Sequence, residues 1–353
     1  MSYNNGLDRP TDYFRAKTYT GNDSGQSITF DESDNMQPDW VWIKSRTDTN
    51  SHNLWDSVRG VNKYLEADTT KVQTTVSNGV TAFDSNGFTV GNRDAINDNG
   101  LNFTSWSWKA GSTGSGTTTG SGTGKAFSYS VSTTSGFSIV KYVGNGSSGH
   151  TIPHQLGVIP QMVAIKNLDD GHSWRIGFTA KGFANYFAFN NNDASAANSV
   201  MFNNTDPTSS VFTLGSDGST NANNENFIAY VFANVQGYQL IDQYVGNGNV
   251  DGVYVYCGFQ PAYVWCKCTT TARNWNARDT KVNPFNVTES FLELNGSTAE
   301  QTDAGYSSID ILSNGFKHRG VGGDTNVDGA HYMFYAVAKH PFVTSSGVPT
   351  TAR

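Results

Sequence analysis

One short segment of the sequence carries residues of the types and spacing that bind calcium. Asp324, Asn326 and Asp328, followed by Gly329, match the opening of a calcium loop, in which oxygen ligands at alternate positions surround the ion. Such a loop ends on a bidentate Glu at its twelfth position, where this sequence has Tyr335. The same residue types are also favoured in hairpin turns. We therefore expect turn chemistry and no cofactor, and keep Asp324, Asn326 and Asp328 as a candidate metal site.

Other reactive side chains are present, but their spacing does not match a known catalytic pattern. His150 and His154 are four residues apart, but Pro153 forbids the helix that would bring both rings to one metal ion. The three cysteines all lie in the last third of the chain, and their odd number predicts buried free thiols. The sequence contains no G-x-S-x-G elbow, P-loop or H-E-x-x-H motif. We predict no catalytic residues and no enzyme activity.

Three tryptophans are candidates for binding a sugar. Trp55, Trp174 and Trp275 each follow a strongly apolar segment and lie near polar stretches of the chain. An indole ring presents a flat apolar face that can stack on the C–H face of a sugar ring. Packing in a core is the commoner role of a tryptophan. The sequence leaves both roles open, and the three residues are kept as a candidate ligand-binding set.

The elements that must position these residues occur three times in the chain. Each copy contains a Tyr-x-Gly-Asn segment, a Pro followed six residues later by Lys, a Gly-containing apolar strand and a closing aromatic strand. The Tyr-x-Gly-Asn segments are 19–22, 142–145 and 244–247, and the Pro-to-Lys segments are 38–44, 160–166 and 261–267. A repeat of about 100 residues is the size of a small β domain rather than of a solenoid rung.

Composition divides the chain around these copies. Residues 112–125 are rich in Gly, Ser and Thr, which predicts a flexible linker between the first two repeats. The predicted organisation is an N-terminal arm (1–12), repeat 1 (13–111), the linker (112–125), repeat 2 (126–236), repeat 3 (237–342) and a C-terminal arm (343–353).

The strand after each Pro is apolar on both faces, unlike the other strands, which alternate polar and apolar residues. Period-two alternation with many turn residues predicts an all-β fold of tandem antiparallel β-sandwich repeats, lectin-like or jelly-roll-like. One face of this strand carries compact residues and is predicted to be core: Val41, Ile43, Val163, Ile165, Val264 and Cys266. The other face carries large rings and is predicted to be an assembly face covered by a neighbouring repeat or subunit: Trp40, Trp42, Tyr263 and Trp265. A homo-oligomer, with a trimer favoured, follows from that face.

Charge and hydropathy exclude two classes of binding partner, nucleic acids and membranes, from what we expect of this chain. The formal net charge is −7, and no basic stripe is present, so we expect no binding to nucleic acid. Residues 1–12 are polar, and no apolar run is long enough to span a membrane, so we expect neither a secretory signal nor membrane insertion.

The chain resembles a family of tailed-bacteriophage virion proteins common in marine and freshwater phages, mostly unnamed or described as tail-fibre or lectin-like. The similar segments span the whole chain: 9–14, 38–44, 56–60, 83–91, 106–111 and 346–353. The resemblance implies a virion protein that is made in the host cytoplasm, released by lysis and in contact with other virion proteins. It carries no catalytic residues over to this chain.

Three functions remain as hypotheses at this point. The first is an exposed tail fibre or appendage that adheres to a host-surface glycan or protein receptor. The second is a capsid decoration or head-fibre protein. The third is a glycan-degrading enzyme, which would need two facing carboxylates in a cleft.

Overall fold

The computed structural model describes residues 7–303 and 305–350, and its secondary structure is almost entirely antiparallel strands. The predicted all-β sandwich fold is therefore confirmed. Each repeat contains one six-stranded sheet and one three-stranded sheet. Among the described residues, helices are limited to three single turns and two 3₁₀ turns. They are α1 (Asp94–Asn97), α2 (Ser199–Phe202), α3 (Gly218–Asn221), Pro10–Asp12 and Thr179–Lys181.

Repeat 1 is built from nine strands. They are β1 (Phe14–Thr20), β2 (Gln26–Thr29), β3 (Trp40–Ser45), β4 (Asn53–Asp56), β5 (Lys63–Glu66), β6 (Thr74–Thr75), β7 (Val80–Asp84), β8 (Gly87–Val90) and β9 (Asn102–Trp108). The large sheet has the order β1-β9-β3-β4-β5-β6, and the small sheet has the order β2-β8-β7.

Repeat 2 contains the next eleven strands. They are β10 (Ser112–Thr117), β11 (Thr119–Gly120), β12 (Ala126–Ser132), β13 (Phe137–Val143), β14 (His150–Pro153), β15 (Met162–Asn167), β16 (Arg175–Phe178), β17 (Asn185–Tyr186), β18 (Ala196–Ala197), β19 (Val211–Leu214) and β20 (Asn226–Phe232). The large sheet has the order β10-β12-β13-β20-β15-β16, the small sheet β11-β14-β19, and β17 pairs with β18.

Repeat 3 closes the chain with nine strands. They are β21 (Gln239–Val245), β22 (Tyr254–Tyr256), β23 (Phe259–Cys268), β24 (Asn276–Asp279), β25 (Ser290–Glu293), β26 (Gln301–Thr302), β27 (Ile309–Leu312), β28 (Gly315–His318) and β29 (His331–Pro341). The large sheet has the order β21-β29-β23-β24-β25-β26, and the small sheet has the order β22-β28-β27.

The compact residues after each Pro fill the space between the two sheets of their own repeat. Val41 and Ile43 belong to one buried cluster, Val163 and Ile165 to a second, and Val264 and Cys266 to a third. All six side chains are buried, which confirms the prediction that this face is core. The pattern succeeds because alternate residues of a strand point to opposite faces, so a fixed offset from Pro selects the same face in every copy.

The stretch predicted to be a flexible linker is instead part of repeat 2. Residues 112–117 form β10, which pairs along its whole length with β12. Two of its glycines are covered by rings of β12: a Cβ at Gly114 would lie 2.4 Å from the hydroxyl oxygen of Tyr129, and one at Gly116 would lie 2.8 Å from the ring of Phe127. Composition alone predicts flexibility here, whereas the glycines make room for aromatic rings across the strand pair.

The chain ends also depart from the prediction of arms outside any core. Leu7 is buried in the cluster between the repeats, and the backbone and hydroxyl of Ser345 both bond to Asp8 at 2.6 Å. The predicted arms therefore pack on the body from residue 7 and up to residue 350, and the rest of each arm lies outside the described residues.

Candidate functional site

The candidate calcium ligands are held by separate hydrogen bonds and do not converge. Asn326 is fully buried, and its Oδ1 accepts the backbone N–H of Asn247 at 3.0 Å. One carboxylate oxygen of Asp324 accepts the backbone N–H of Asn274 at 3.0 Å, while Asp328 is exposed. Within 7–303 and 305–350, no group of three or more His, Cys, Asp or Glu side chains is placed to hold a metal ion. Hydrogen bonds to other segments of repeat 3 hold this loop in place.

The same hydrogen-bonded lock recurs in all three repeats and explains the Tyr-x-Gly-Asn segments. A buried Asn at the end of a short turn, which is helical in repeats 1 and 2, accepts the backbone N–H of the motif Asn. The Tyr hydroxyl donates to the carbonyl of the residue before the buried Asn. The buried residues are Asn97, Asn221 and Asn326, and the Tyr bonds are Tyr19 to Ile96 (2.7 Å), Tyr142 to Thr220 (2.6 Å) and Tyr244 to Thr325 (2.7 Å).

The glycine of this motif is required because two backbone segments cross there. A Cβ at Gly21, Gly144 or Gly246 would lie 2.0–2.3 Å from a carbonyl oxygen of the facing loop. No side chain fits at that distance, so only glycine allows the loop to close on the buried Asn. The Asx residues that suggested a cation site thus fix three loops at the ends of the sandwiches.

The three candidate sugar-binding tryptophans are fully buried, so the prediction that they form ligand platforms is wrong. Trp55 packs inside the core of repeat 1, against Tyr64. Trp174 and Trp275 lie in the cluster between repeats, and their indole N–H groups donate to carbonyls of the preceding repeat. A ring with no exposed face cannot stack on a ligand.

The residue of repeat 1 that corresponds to Trp174 and Trp275 is His52 rather than Trp55. Its Nδ1 accepts the indole N–H of Trp42 at 2.8 Å, and its Nε2 lies 3.0 Å from the carbonyl oxygen of Glu293. Burial lowers the pKa of His52 well below its usual value, so the ring is neutral and Nε2 carries the proton. The spacing contains the signal: His52, Trp174 and Trp275 each follow the second compact core residue by nine positions, as in Ile43 to His52.

These three rings link the repeats into a closed cycle. Trp174 of repeat 2 donates to the carbonyl of Glu66 in repeat 1 at 2.9 Å. Trp275 of repeat 3 donates to Ala188 of repeat 2 at 3.1 Å, and His52 of repeat 1 donates to Glu293 of repeat 3. Because the donors are equivalent and each contacts a different neighbour, the three sandwiches surround one pseudo-three-fold axis.

The four rings predicted to form an assembly face lie in the core between the repeats. Trp40 stacks on Tyr230 of repeat 2, with ring centroids 4.3 Å apart and planes 21° apart. Tyr263 packs on Trp106 of repeat 1 at 4.8 Å. Trp42 and Trp265 are also buried there. The face is therefore covered within one chain, and the reason for expecting a homotrimer, exposed rings in search of a partner, no longer applies.

Polar groups differ between the three interfaces. Asp56, paired with Arg59, accepts the hydroxyl of Tyr230 at 2.7 Å between repeats 1 and 2. Between repeats 3 and 1, Asp279 accepts the indole N–H of Trp106 at 2.8 Å, and burial raises the pKa of this carboxyl. The equivalent position of repeat 2 is Phe178, which packs on Trp265. Two interfaces thus carry a buried carboxylate at this position, and the third carries an apolar ring there.

The Lys that ends each Pro-to-Lys segment is buried at the same place in every repeat. Lys44 donates to the carbonyls of Ser45 and Asp48, at 2.7 and 3.1 Å. Lys166 and Lys267 each donate to one carbonyl of their own repeat and to one of the preceding repeat. The acceptor in the preceding repeat is Thr70 for Lys166 and Asn192 for Lys267, both at 3.0 Å. Burial lowers the pKa of each ammonium group to about 8.

These pKa values predict that the protein becomes more stable between pH 7 and pH 9. In the unfolded chain a lysine keeps its ordinary pKa of 10.5, so between about pH 8 and 10.5 the unfolded state binds more protons and the free energy of unfolding rises with pH. The expected gain at pH 9 is about 1 kcal/mol per lysine. Urea unfolding at pH 7 and pH 9 measures it.

The buried thiols lower the free energy of unfolding as the pH rises, and this limits the gain at higher pH. Burial raises the pKa of Cys266 to about 11 and that of Cys257 further, so unfolding is favoured above the ordinary thiol pKa of 9.0. The variant Lys166→Met should reduce the gain between pH 7 and 9 by about a third. Equal stability of the unaltered protein at the two pH values would contradict the assignment of these three lysines.

Two open grooves follow boundaries between repeats. The larger, about 670 Å³, lies between repeats 1 and 3. Several of its charged groups are engaged in ion pairs, among them Arg9 with Asp34 and Lys281 with Asp31 and Glu32. The other groove, about 530 Å³, lies between repeat 1 and the β10–β12 pair. In the described part of the chain, no helix has the length and apolar character needed to cross a membrane.

One known protein family matches nearly the whole chain. The model of a family described as a domain of unknown function, DUF7483, matches residues 9–341. No curated protein and no solved structure matches the sequence significantly. The family match includes all three repeats and the aromatic residues that pack between them. The chain belongs to the DUF7483 family.

Proposed function

We propose that the protein is a structural component of a tailed-phage virion and acts as an exposed tail-fibre or appendage protein that adheres to the host surface. The observation that carries this proposal is the closure of three sandwiches around a buried aromatic core within one chain. Repeated positions, such as the buried Lys, the buried Asn and the ring donor at His52, Trp174 and Trp275, are used for packing and for fixing loops. This is the construction of a scaffold.

The arrangement suits a binding role because it presents fixed loops and sheet faces outward. Each large sheet has one face toward the central core and the other toward its own sandwich core, so each small sheet lies on the outside. Loops held by buried Asn side chains lose little conformational freedom on binding, which favours affinity. The partners proposed are other virion proteins and a glycan or protein receptor on the host.

A second candidate, a capsid decoration or head-fibre protein, is favoured by the internal pseudo-symmetry. One chain with three equivalent sandwiches around an axis can place similar contacts on three neighbouring subunits of a shell. The glycan-degrading enzyme has less support, because the two carboxylates that line the larger groove, Glu32 and Asp34, are paired with cations.

Immunogold electron microscopy of phage particles tests the proposal and separates the two candidates. Antibodies raised against the purified protein are applied to particles of a phage whose genome encodes this sequence. Label at the tail or its fibres is the expected result, and label distributed over the head supports decoration instead. Antibody pre-absorbed with the purified protein is the control. If mass spectrometry detects none of the protein in purified particles, both candidate functions are overturned.

A further inference from the structure

The outer faces of the three small sheets differ at two equivalent positions. In each small sheet one strand carries a buried residue, Ile28, Ile152 or Val255, opposite a buried Phe. The residues on either side of it point outward. They are Ser27 and Thr29 in repeat 1, Thr151 and Pro153 in repeat 2, and Tyr254 and Tyr256 in repeat 3. Only repeat 3 presents aromatic rings at these positions.

The two tyrosine rings are accessible and lie side by side. Tyr254 is 42% exposed and Tyr256 is 61% exposed. Two residues apart on one strand, they project from the same face with a spacing of roughly 6–7 Å. Opposite Tyr256 on β28 is Gly315, which has no side chain to cover the ring. Both residues therefore have accessible surface, and no side chain of β28 lies opposite Tyr256.

A charge-balanced network borders the rings. Lys317 lies opposite Tyr254 on β28, and its Nζ is 2.7 Å from Oδ1 of Asp251. Arg319 contacts the same oxygen at 2.9 Å and Asp310 at 2.6 Å. Two cations and two carboxylates thus neutralise one another. Asp251 is nevertheless 70% exposed on its side chain, so its oxygens and the neighbouring N–H groups remain within reach of hydroxyl groups.

We infer that this surface, formed by Tyr254, Tyr256, Lys317 and Asp251, is a binding platform for a neutral, hexose-containing glycan. The inference rests on the proposed adhesive function and names its ligand class. A sugar ring has an apolar C–H face that stacks on an aromatic ring, and hydroxyls that exchange hydrogen bonds with the network. The balanced charges and the net charge of −7 disfavour an anionic glycan.

The size of the platform also favours a small ligand over a protein. The exposed fractions of Tyr254 and Tyr256, 42% and 61%, together equal about the surface of one tyrosine, roughly 200 Å². A stable protein interface needs about 800 Å² on each partner. Two adjacent rings match a short stretch of an oligosaccharide instead, with one sugar over each ring.

Binding of defined glycans to the whole protein tests the inference. The probes are neutral hexasaccharides of glucose, mannose and N-acetylglucosamine, and polysialic acid as the anionic comparison, measured by calorimetry and saturation-transfer NMR. We expect at least one neutral probe to bind, with its signal transfer from tyrosine protons, and polysialic acid not to bind. The double variant Tyr254→Ser, Tyr256→Thr, which copies the residues of repeat 1, should lower that affinity at least tenfold with an unchanged melting temperature.

A matched control and a second readout separate this inference from the proposed function. Phe285→Ser alters a more exposed ring of the same repeat, 75% exposed, and should leave binding unchanged. If the double variant binds the neutral probes as well as the unaltered protein does, or if none of them binds, the platform is overturned. Immunogold label on the tail would then still support the virion function, whereas particles without the protein would remove the function itself.

Discussion

Replacing Trp40 with alanine is expected to lower the free energy of unfolding by about 3–5 kcal/mol, the usual cost of removing a large buried ring. The ring contacts Tyr230 at 4.3 Å, Trp108 at 4.5 Å and Phe137 at 5.8 Å between ring centroids. Two of these partners belong to repeat 2. The cavity would therefore open at the junction of two repeats rather than inside one sandwich.

Hydrogen exchange shows whether the loss is shared between repeats. Amides of β20 in repeat 2, which carries Tyr230, should exchange faster in Trp40→Ala although the substitution is in repeat 1. Phe285→Ala, an exposed ring, should change the free energy of unfolding by less than about 0.5 kcal/mol. If hydrogen exchange in Trp40→Ala becomes faster only for amides of repeat 1, the sandwiches are energetically independent and the core between the repeats does not couple them.

Replacing Asp56 with alanine is expected to cost about 3–5 kcal/mol, because it leaves a buried cation without its counter-charge. The Arg59 side chain is fully buried against Asp56, and its Nη2 donates to the carbonyl of Leu54 at 3.0 Å. Tyr230 of repeat 2 would also lose the acceptor of its hydroxyl, 2.7 Å away. The effect should exceed that of removing any exposed ion pair.

The double variant Asp56→Ala, Arg59→Met separates the charge from the hydrogen bond, because it lacks the acceptor for Tyr230 just as Asp56→Ala does but leaves no buried cation unpaired. Removing both charges of a buried pair is often close to neutral, whereas removing one partner is costly. Urea unfolding should therefore show the double variant to be more stable than Asp56→Ala. Equal stabilities would mean that the bond to Tyr230, and not the unpaired guanidinium, sets the cost.

The fold class and the sandwich cores could be predicted from the sequence. A strand has a period of two, so compact residues at fixed offsets from Pro, such as Val41 and Ile43, lie on one face in every copy. Turn chemistry was predicted for the loop of Asn326, but this side chain, like Asn97 and Asn221, accepts a hydrogen bond from a loop 75 to 79 positions away. The fold class and the core faces depend on local geometry, which follows from residues near one another in the sequence, whereas these long-range bonds do not.

The candidate sites could not be predicted in the same way. Trp55, Trp174 and Trp275 resemble one another in sequence, but Trp55 belongs to a sandwich core and the other two to the central core. Their roles depend on strand register, which makes His52 the true counterpart of Trp174 and Trp275. The Gly-rich stretch after residue 111 was read as a linker because composition does not reveal the aromatic rings that cover its glycines.

The sequence by itself determined three β-sandwiches with known inward faces and turn-forming loops, because each of these follows from residues close together in the chain. Only the tertiary structure decided what covers the aromatic face. Contacts such as Trp40 with Tyr230 and Trp106 with Tyr263 join residues more than 150 positions apart. An apolar strand face requires a partner on physical grounds, but the same requirement is met by another repeat or by another subunit. Only the positions of the three large sheets around a common axis show that another repeat, and not another subunit, covers this face.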